Sequence, residues 1–187
     1  MGHAGTTWYR AAGAAAALLY AGFAAPAIAG DEAELACPIA GLGAAERTAL
    51  TTIGEDRSAR RAAQAVVARR VAACAARFGW NDRERSAAAH YVAPYLTRER
   101  FRAALAEEGL DLARIERDVL ADAPLMAAAV APQSSPPALD EHLRRLVATE
   151  QAWVARNEGA REKLQALGGL VSATALAEGA RRRFTRE

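Results

Sequence analysis

Two cysteines, Cys37 and Cys74, and two histidines, His90 and His142, are the residues beyond the first thirty whose types could do chemistry. Neither cysteine stands in C-x-x-C or C-x-x-C-H, which argues against thiol exchange and covalent haem. In an oxidising compartment a lone pair of cysteines forms one structural disulfide. The ring it closes is worth roughly 3–4 kcal/mol in the chain-entropy account. His90 has Ser86, Ala87, Ala93 and Pro94 at its helical neighbour positions, so no carboxylate or second imidazole accompanies it locally. His142 has Ala138, Leu139, Arg145 and Leu146, and a guanidinium so near disfavours a bound cation. Neither histidine belongs to H-E-x-x-H or another zinc spacing, so no metal is expected. No serine sits in G-x-S-x-G or S-x-x-K, and no glycine-rich loop could cradle a phosphate. These absences weigh against an ordinary hydrolase or nucleotide enzyme, and no cofactor is expected. The enzymatic alternative would use His90 as acid or base, with groups such as Glu84 and Tyr91 assembled by the fold.

The elements that would position these residues all read as helix, because β-branched residues are sparse and period-two alternation is absent. The expected fold is all-α: a small irregular bundle of about six helices with one Cys37–Cys74 bridge. Its hub is Ser58 to Trp80, where Ala63, Val67, Val71, Cys74 and Phe78 recur at helical spacing and form one apolar stripe. Gly79 stops it, being able to take the left-handed conformation. Before the hub, Ala45, Ala49, Leu50 and Ile53 share a face of a short helix that Gly54 ends, and Asp56 or Ser58 can cap the hub. After it, Asn81 and Glu84 form a capping box for a helix carrying Ala88, Tyr91, Val92 and Tyr95. Pro94 should kink or end that helix, and Thr97 should cap a fresh one with Phe101, Ala104 and Leu105 inward. Asp111 caps the next, with Leu112, Ile115 and Val119 on its face, and Pro124 ends it. The apolar piece from Leu125 to Ala131 has no clear assignment. Phe78, Trp80, Tyr91, Tyr95 and Phe101 cluster in sequence, and are read as core at the hub's end, with an aromatic ligand groove as the alternative.

A Pro/Ser linker at 132–137 precedes the longest periodic run. Leu139, Leu143, Leu146, Glu150, Trp153 and Asn157, continuing to Leu167, alternate by four and three, which is a heptad seam interrupted by two polar residues. Gly168-Gly169 should end it, leaving a last amphipathic helix from Leu170 to Phe184 whose Arg181-Arg182-Arg183 suits the negative pole of the dipole.

The first 29 residues read as a signal peptide: Arg10, an uncharged run from Ala11 to Ala25, Pro26, then Ala27-Ile28-Ala29 for cleavage between Ala29 and Gly30. The remainder, 30–187, is one domain's worth of chain, expected to be periplasmic or secreted with no integral membrane segment after cleavage. A net charge of +2 over the full sequence gives no general pull towards nucleic acid. Arginine dominates the basic residues, as a GC-rich genome would produce. The leading functional expectation is a non-enzymatic envelope interaction or binding module. It would use the 139–167 seam, for a protein partner or a homo-oligomer, or a helical groove.

Overall fold

A chain this rich in alanine forms helix wherever a cap starts it, so the architecture turns on where helices stop and how closely they pack. The computed structural model describes residues 30–51, 57–131 and 136–185. The expected signal segment 1–29, the expected Gly54 turn with Asp56, and residues 132–135 of the expected linker lie outside the described residues. A 3₁₀ turn at Glu32–Leu35 leads into α1 (Ala36–Ala40), α2 (Ala44–Thr51), α3 (Arg57–Phe78) and α4 (Asp82–Leu105). There follow α5 (Leu112–Ala121), α6 (Ala123–Val130), α7 (Pro136–Thr149), α8 (Gln151–Arg156) and α9 (Arg161–Thr185). The described residues thus form nine α-helices rather than about six, and no strand. No helix among them is long and apolar enough to cross a membrane.

The axis of the bundle is the antiparallel pair α4 and α9, not the expected hub α3. At one end Trp80 meets Phe184 edge-on with ring centroids 5.1 Å apart. At the other, Phe101 lies over Gly169, where a Cβ would come within 2.2 Å of its ring. The Gly168-Gly169 pair therefore sits inside α9 instead of ending a helix: the missing side chain at 169 is what the close approach requires. Pro94 likewise lies inside α4, which runs on past it, so Thr97 caps nothing. Its ring removes one backbone donor, the one that would have reached the His90 carbonyl.

The caps hold as expected where their chemistry is local. Asn81 Oδ1 accepts from the Glu84 N–H (3.0 Å) while Glu84 Oε2 accepts from the Asn81 N–H (2.8 Å). Asp111 accepts from the Arg114 N–H at 2.9 Å. Asp122 accepts from the Leu125 N–H at 3.0 Å, so it opens α6, with Pro124 in the first turn of that helix rather than terminating α5. Gly79 has φ 72°, the left-handed value expected of it. Ser58 is already inside α3 and so is not its cap.

Two apolar clusters flank the axis. In the first, the α3 stripe of Ala63, Val67, Val71 and Cys74 is buried, with Leu35, Trp80 and Phe184. Of the face expected on the short helix before it, Ala45 and Ala49 are exposed and Leu50 is buried. The Cys37–Cys74 disulfide ties α1 to the last turns of α3, with Cα atoms 6.1 Å apart. Phe78 departs from the stripe and is 37 % exposed. The left-handed turn at Gly79 instead swings Trp80 inward, where its indole N–H donates to Glu34 Oε2 at 2.5 Å. The second cluster gathers Leu105, Ile115, Val119, Leu146, Trp153 and Leu170.

No single helix spans 139–167. The periodic run is cut at its two polar positions: Glu150 precedes α8 with φ −96° and ψ 24°, and Asn157 closes it by donating from Nδ2 to the Trp153 carbonyl at 2.9 Å. Glu150 turns its carboxylate to Arg114. Leu146 and Trp153 are buried and Leu139 and Leu143 pack against the same cluster, so these apolar seam positions face inward.

Candidate functional site

Among the described residues, two concave regions bring together groups able to bind or react. The first lies where α5, α6 and α7 meet, a cleft of about 620 Å³. Asp122, between α5 and α6, reaches His142 on α7, with Nδ1 to Oδ2 at 2.7 Å, and also accepts from Arg145. Both partners in the Asp122–His142 pair are buried, with side chains 6 % and 7 % exposed. Burial alone would raise the Asp122 pKa; the His142 hydrogen bond, the Leu125 N–H and the Arg145 guanidinium outweigh it and hold the carboxyl below its ordinary value. Arg145 also pairs with Glu141, and Arg114 with Asp118 and Glu150. Every ionised group on the wall is thereby paired with another. The one hydroxyl in the lining, Thr149, donates to the Arg145 carbonyl at 3.0 Å. The cluster clamps α7 and α8 to the rest of the fold. Sequence reasoning missed this buried pair because Asp122 and His142 lie 20 residues apart.

The second region runs along the outer face of α4, whose Ser86, Ala89, His90, Ala93, Pro94 and Thr97 follow one another at helical spacing. Helix axes pack about 8–10 Å apart, and side chains this small leave the space beside them unfilled. Three hollows result. The one towards the start of α4, about 410 Å³, lies between Ser86 and His90 on one side and Ala128, Leu176 and Arg183 on the other. The next, about 400 Å³, is floored by Pro94 and Thr97, walled by Ala173 and Leu176, and closed by Phe101. The third, about 310 Å³, opens towards α3 between Ala93, Ala63 and Val67. They are neighbours with lining residues in common: Leu176 in the first and second, Leu50 and Ala93 in the second and third, His90 in the first and third. Leu176 is 40 % exposed.

Within this groove His90 is exposed, and its Nδ1 lies 2.7 Å from the Ser86 carbonyl oxygen. A carbonyl only accepts, so Nδ1 carries the proton and Nε2 is left open. Glu84, a suggested partner, is buried in the capping box one and a half turns earlier. Arg183 is half-buried instead of lying on a solvated helix end, and Phe184 beside it is fully buried. Of the expected aromatic cluster, Trp80 joins the core and Phe101 closes the groove; Tyr91 and Tyr95 pack together with centroids 5.4 Å apart. Burial pushes the Tyr91 hydroxyl up to about 12. Among the described residues no group of three or more His, Cys, Asp or Glu could hold a metal ion.

No known family model matches the chain, and neither a curated protein nor a solved structure is similar to it.

Proposed function

We propose that the chain is an exported, non-catalytic binding module of the cell envelope, periplasmic or secreted, that takes a slender apolar ligand in the groove along α4. The carrying observation is the run of three neighbouring hollows walled largely by small and apolar side chains between α3, α4, α6 and α9. Concave, mostly apolar surface with a few polar groups at one end is the general form of a small-molecule site. The paired cysteines support an oxidising compartment. The enzymatic alternative through His90 gains less support, since its ring is bonded to its own helix and no carboxylate accompanies it among the described residues. The buried histidine–carboxylate pair is elsewhere, and its carboxylate is taken up by the His142 ring, the Leu125 N–H and Arg145.

Titration with an uncharged naphthylamine dye tests the groove. Binding should be saturable at about one dye per chain and should be lost in Ala93→Phe and Ser172→Phe, two half-buried wall positions. Saturable binding that survives both substitutions would place the ligand elsewhere and defeat the proposal. Export is tested separately by intact mass: the released protein should begin at Gly30, and a full-length chain held in the membrane would contradict it.

A further inference from the structure

We infer that the ligand is a medium-chain carboxylate amphiphile whose head is held by Arg183, with His90 and Ser86 across the cavity, and whose tail lies along α4 towards Phe101. This rests on the groove proposed above and adds the chemistry of its polar end, at Arg183, His90 and Ser86.

Arg183 is placed by a close helix contact. At Gly179, one turn earlier on α9, a Cβ would come within 2.4 Å of the Ala129 carbonyl oxygen, so α6 can lie against α9 only because that side chain is missing. The contact brings the last carbonyls of α6 over Arg183, whose Nη1 donates to Ala129 (2.8 Å) and Val130 (3.1 Å). The guanidinium is fixed, yet only one of its nitrogens is engaged among the described residues. Nε and Nη2, which form the side-on fork of an arginine, have no partner there. That two-toothed edge matches a carboxylate.

The charge is uncompensated as well. Arg182 pairs with Glu178 at 2.8 Å and Arg181 with the same carboxylate at 2.7 Å, while no carboxylate pairs with Arg183 among the described residues. Burial accordingly pushes its pKa down, the direction expected of a cation lacking a counter-ion. Across the cavity the Ser86 hydroxyl has no partner among the described residues, and His90 presents Nε2. One cation with one free fork suits a singly charged head; a phosphate dianion would need a second cation, and both neighbouring arginines are already bound to Glu178.

The tail follows from length. From His90 to Phe101 is eleven residues of helix, about 16 Å at 1.5 Å per residue, the span of a medium-chain acyl tail. The wall along that span is Ala93, Pro94, Thr97, Ala173 and Leu176. It offers apolar contact and no charge.

Calorimetric titration of the oxidised protein with dodecanoate, dodecanol, dodecyl phosphate and an apolar peptide with a free C-terminus decides the matter. Dodecanoate should bind more tightly than dodecanol by on the order of tenfold, the lower end of what a charge-assisted hydrogen bond gives, because the guanidinium is half-buried. It should also outrank the phosphate and the peptide. Arg183→Gln should erase the preference over dodecanol, and Arg183→Lys should keep part of it. The ligand series on the unsubstituted protein stands by itself if Arg183→Gln does not fold. Equal binding of dodecanol and dodecanoate would overturn the head-group assignment and leave the groove standing. Tighter binding of the phosphate or of the peptide would overturn it in favour of that class. Absence of binding by both dodecanol and dodecanoate would defeat the groove proposal too.

Discussion

Replacing Gly179 by alanine should destabilise this protein, although alanine is the better helix former. In a helix interior the exchange gains about 1 kcal/mol from propensity. At 179 the new Cβ would stand 2.4 Å from the Ala129 oxygen and 2.7 Å from the carbon of the same carbonyl, both backbone atoms with no rotamer to turn away. Ordinary contact begins near 3.4 Å, so α6 would have to shift by about an ångström. Overpacking of this kind costs about 1–3 kcal/mol. The same shift stretches the bonds from Arg183 to the Ala129 and Val130 carbonyls, and a hydrogen bond to a charged group is worth about 1.5–3 kcal/mol. The losses outweigh the propensity gain, for a net loss of about 2 kcal/mol. Gly168 is the control on the same helix: nothing lies within 4 Å of its Cβ position. Gly168→Ala should therefore stabilise by up to about 1 kcal/mol. Urea denaturation of the two variants, followed by far-ultraviolet circular dichroism, should move the midpoint in opposite directions. Equal midpoints, or a more stable Gly179→Ala, would refute the close packing of α6 on α9 and the placement of Arg183 that depends on it.

Two further outcomes follow from the same geometry. Cys37→Ser with Cys74→Ser should lower stability by roughly 3–4 kcal/mol while leaving helix content nearly unchanged; denaturation with and without reductant checks it, and a loss of helix on reduction would show the bridge to be a condition of folding. Asp122 is held below its ordinary value of 3.8, so its stabilisation is complete above the carboxylate range and is lost as pH falls through 3.8 towards the folded value. An acid titration of stability should thus be flatter in Asp122→Asn than in the unsubstituted protein, and parallel curves would show that the cluster with His142 and Arg145 contributes nothing ionic.

What the sequence revealed, and what it hid, divides by the range of the interaction. The Asn81–Glu84 capping box and the Asp111 cap depend on residues three apart, and they stand where their letters put them. The α3 stripe was legible to Cys74 because a helix repeats its face every three or four residues. The disulfide followed from there being only two cysteines in the sequence. By contrast, Gly169 and Gly179 look like helix breakers in one dimension, and their role comes from what another helix brings against them; Pro94 looks like one too, yet α4 runs on past it. The 139–167 run kept its period across two breaks, because α7, α8 and α9 each bury the same kind of face in one cluster; the cuts show only in Glu150 reaching Arg114 and Asn157 reaching back to Trp153. The groove was the least legible part. It is made of what alanine and serine do not fill, and Arg183, which pairs with no carboxylate among the described residues, sits in an Arg-Arg-Arg triplet whose other two members share Glu178.

The most direct test of the central claim is an amide and arginine-side-chain NMR titration of the oxidised protein with dodecanoate. A ligand in the groove should shift Ala89, Ala93, Thr97, Gly169 and Leu176 together, and should move the Arg183 Nε–H most among the arginines. Shifts confined to the cleft of Asp122, His142 and Arg145, or scattered over the surface without saturation, would contradict a binding site along α4.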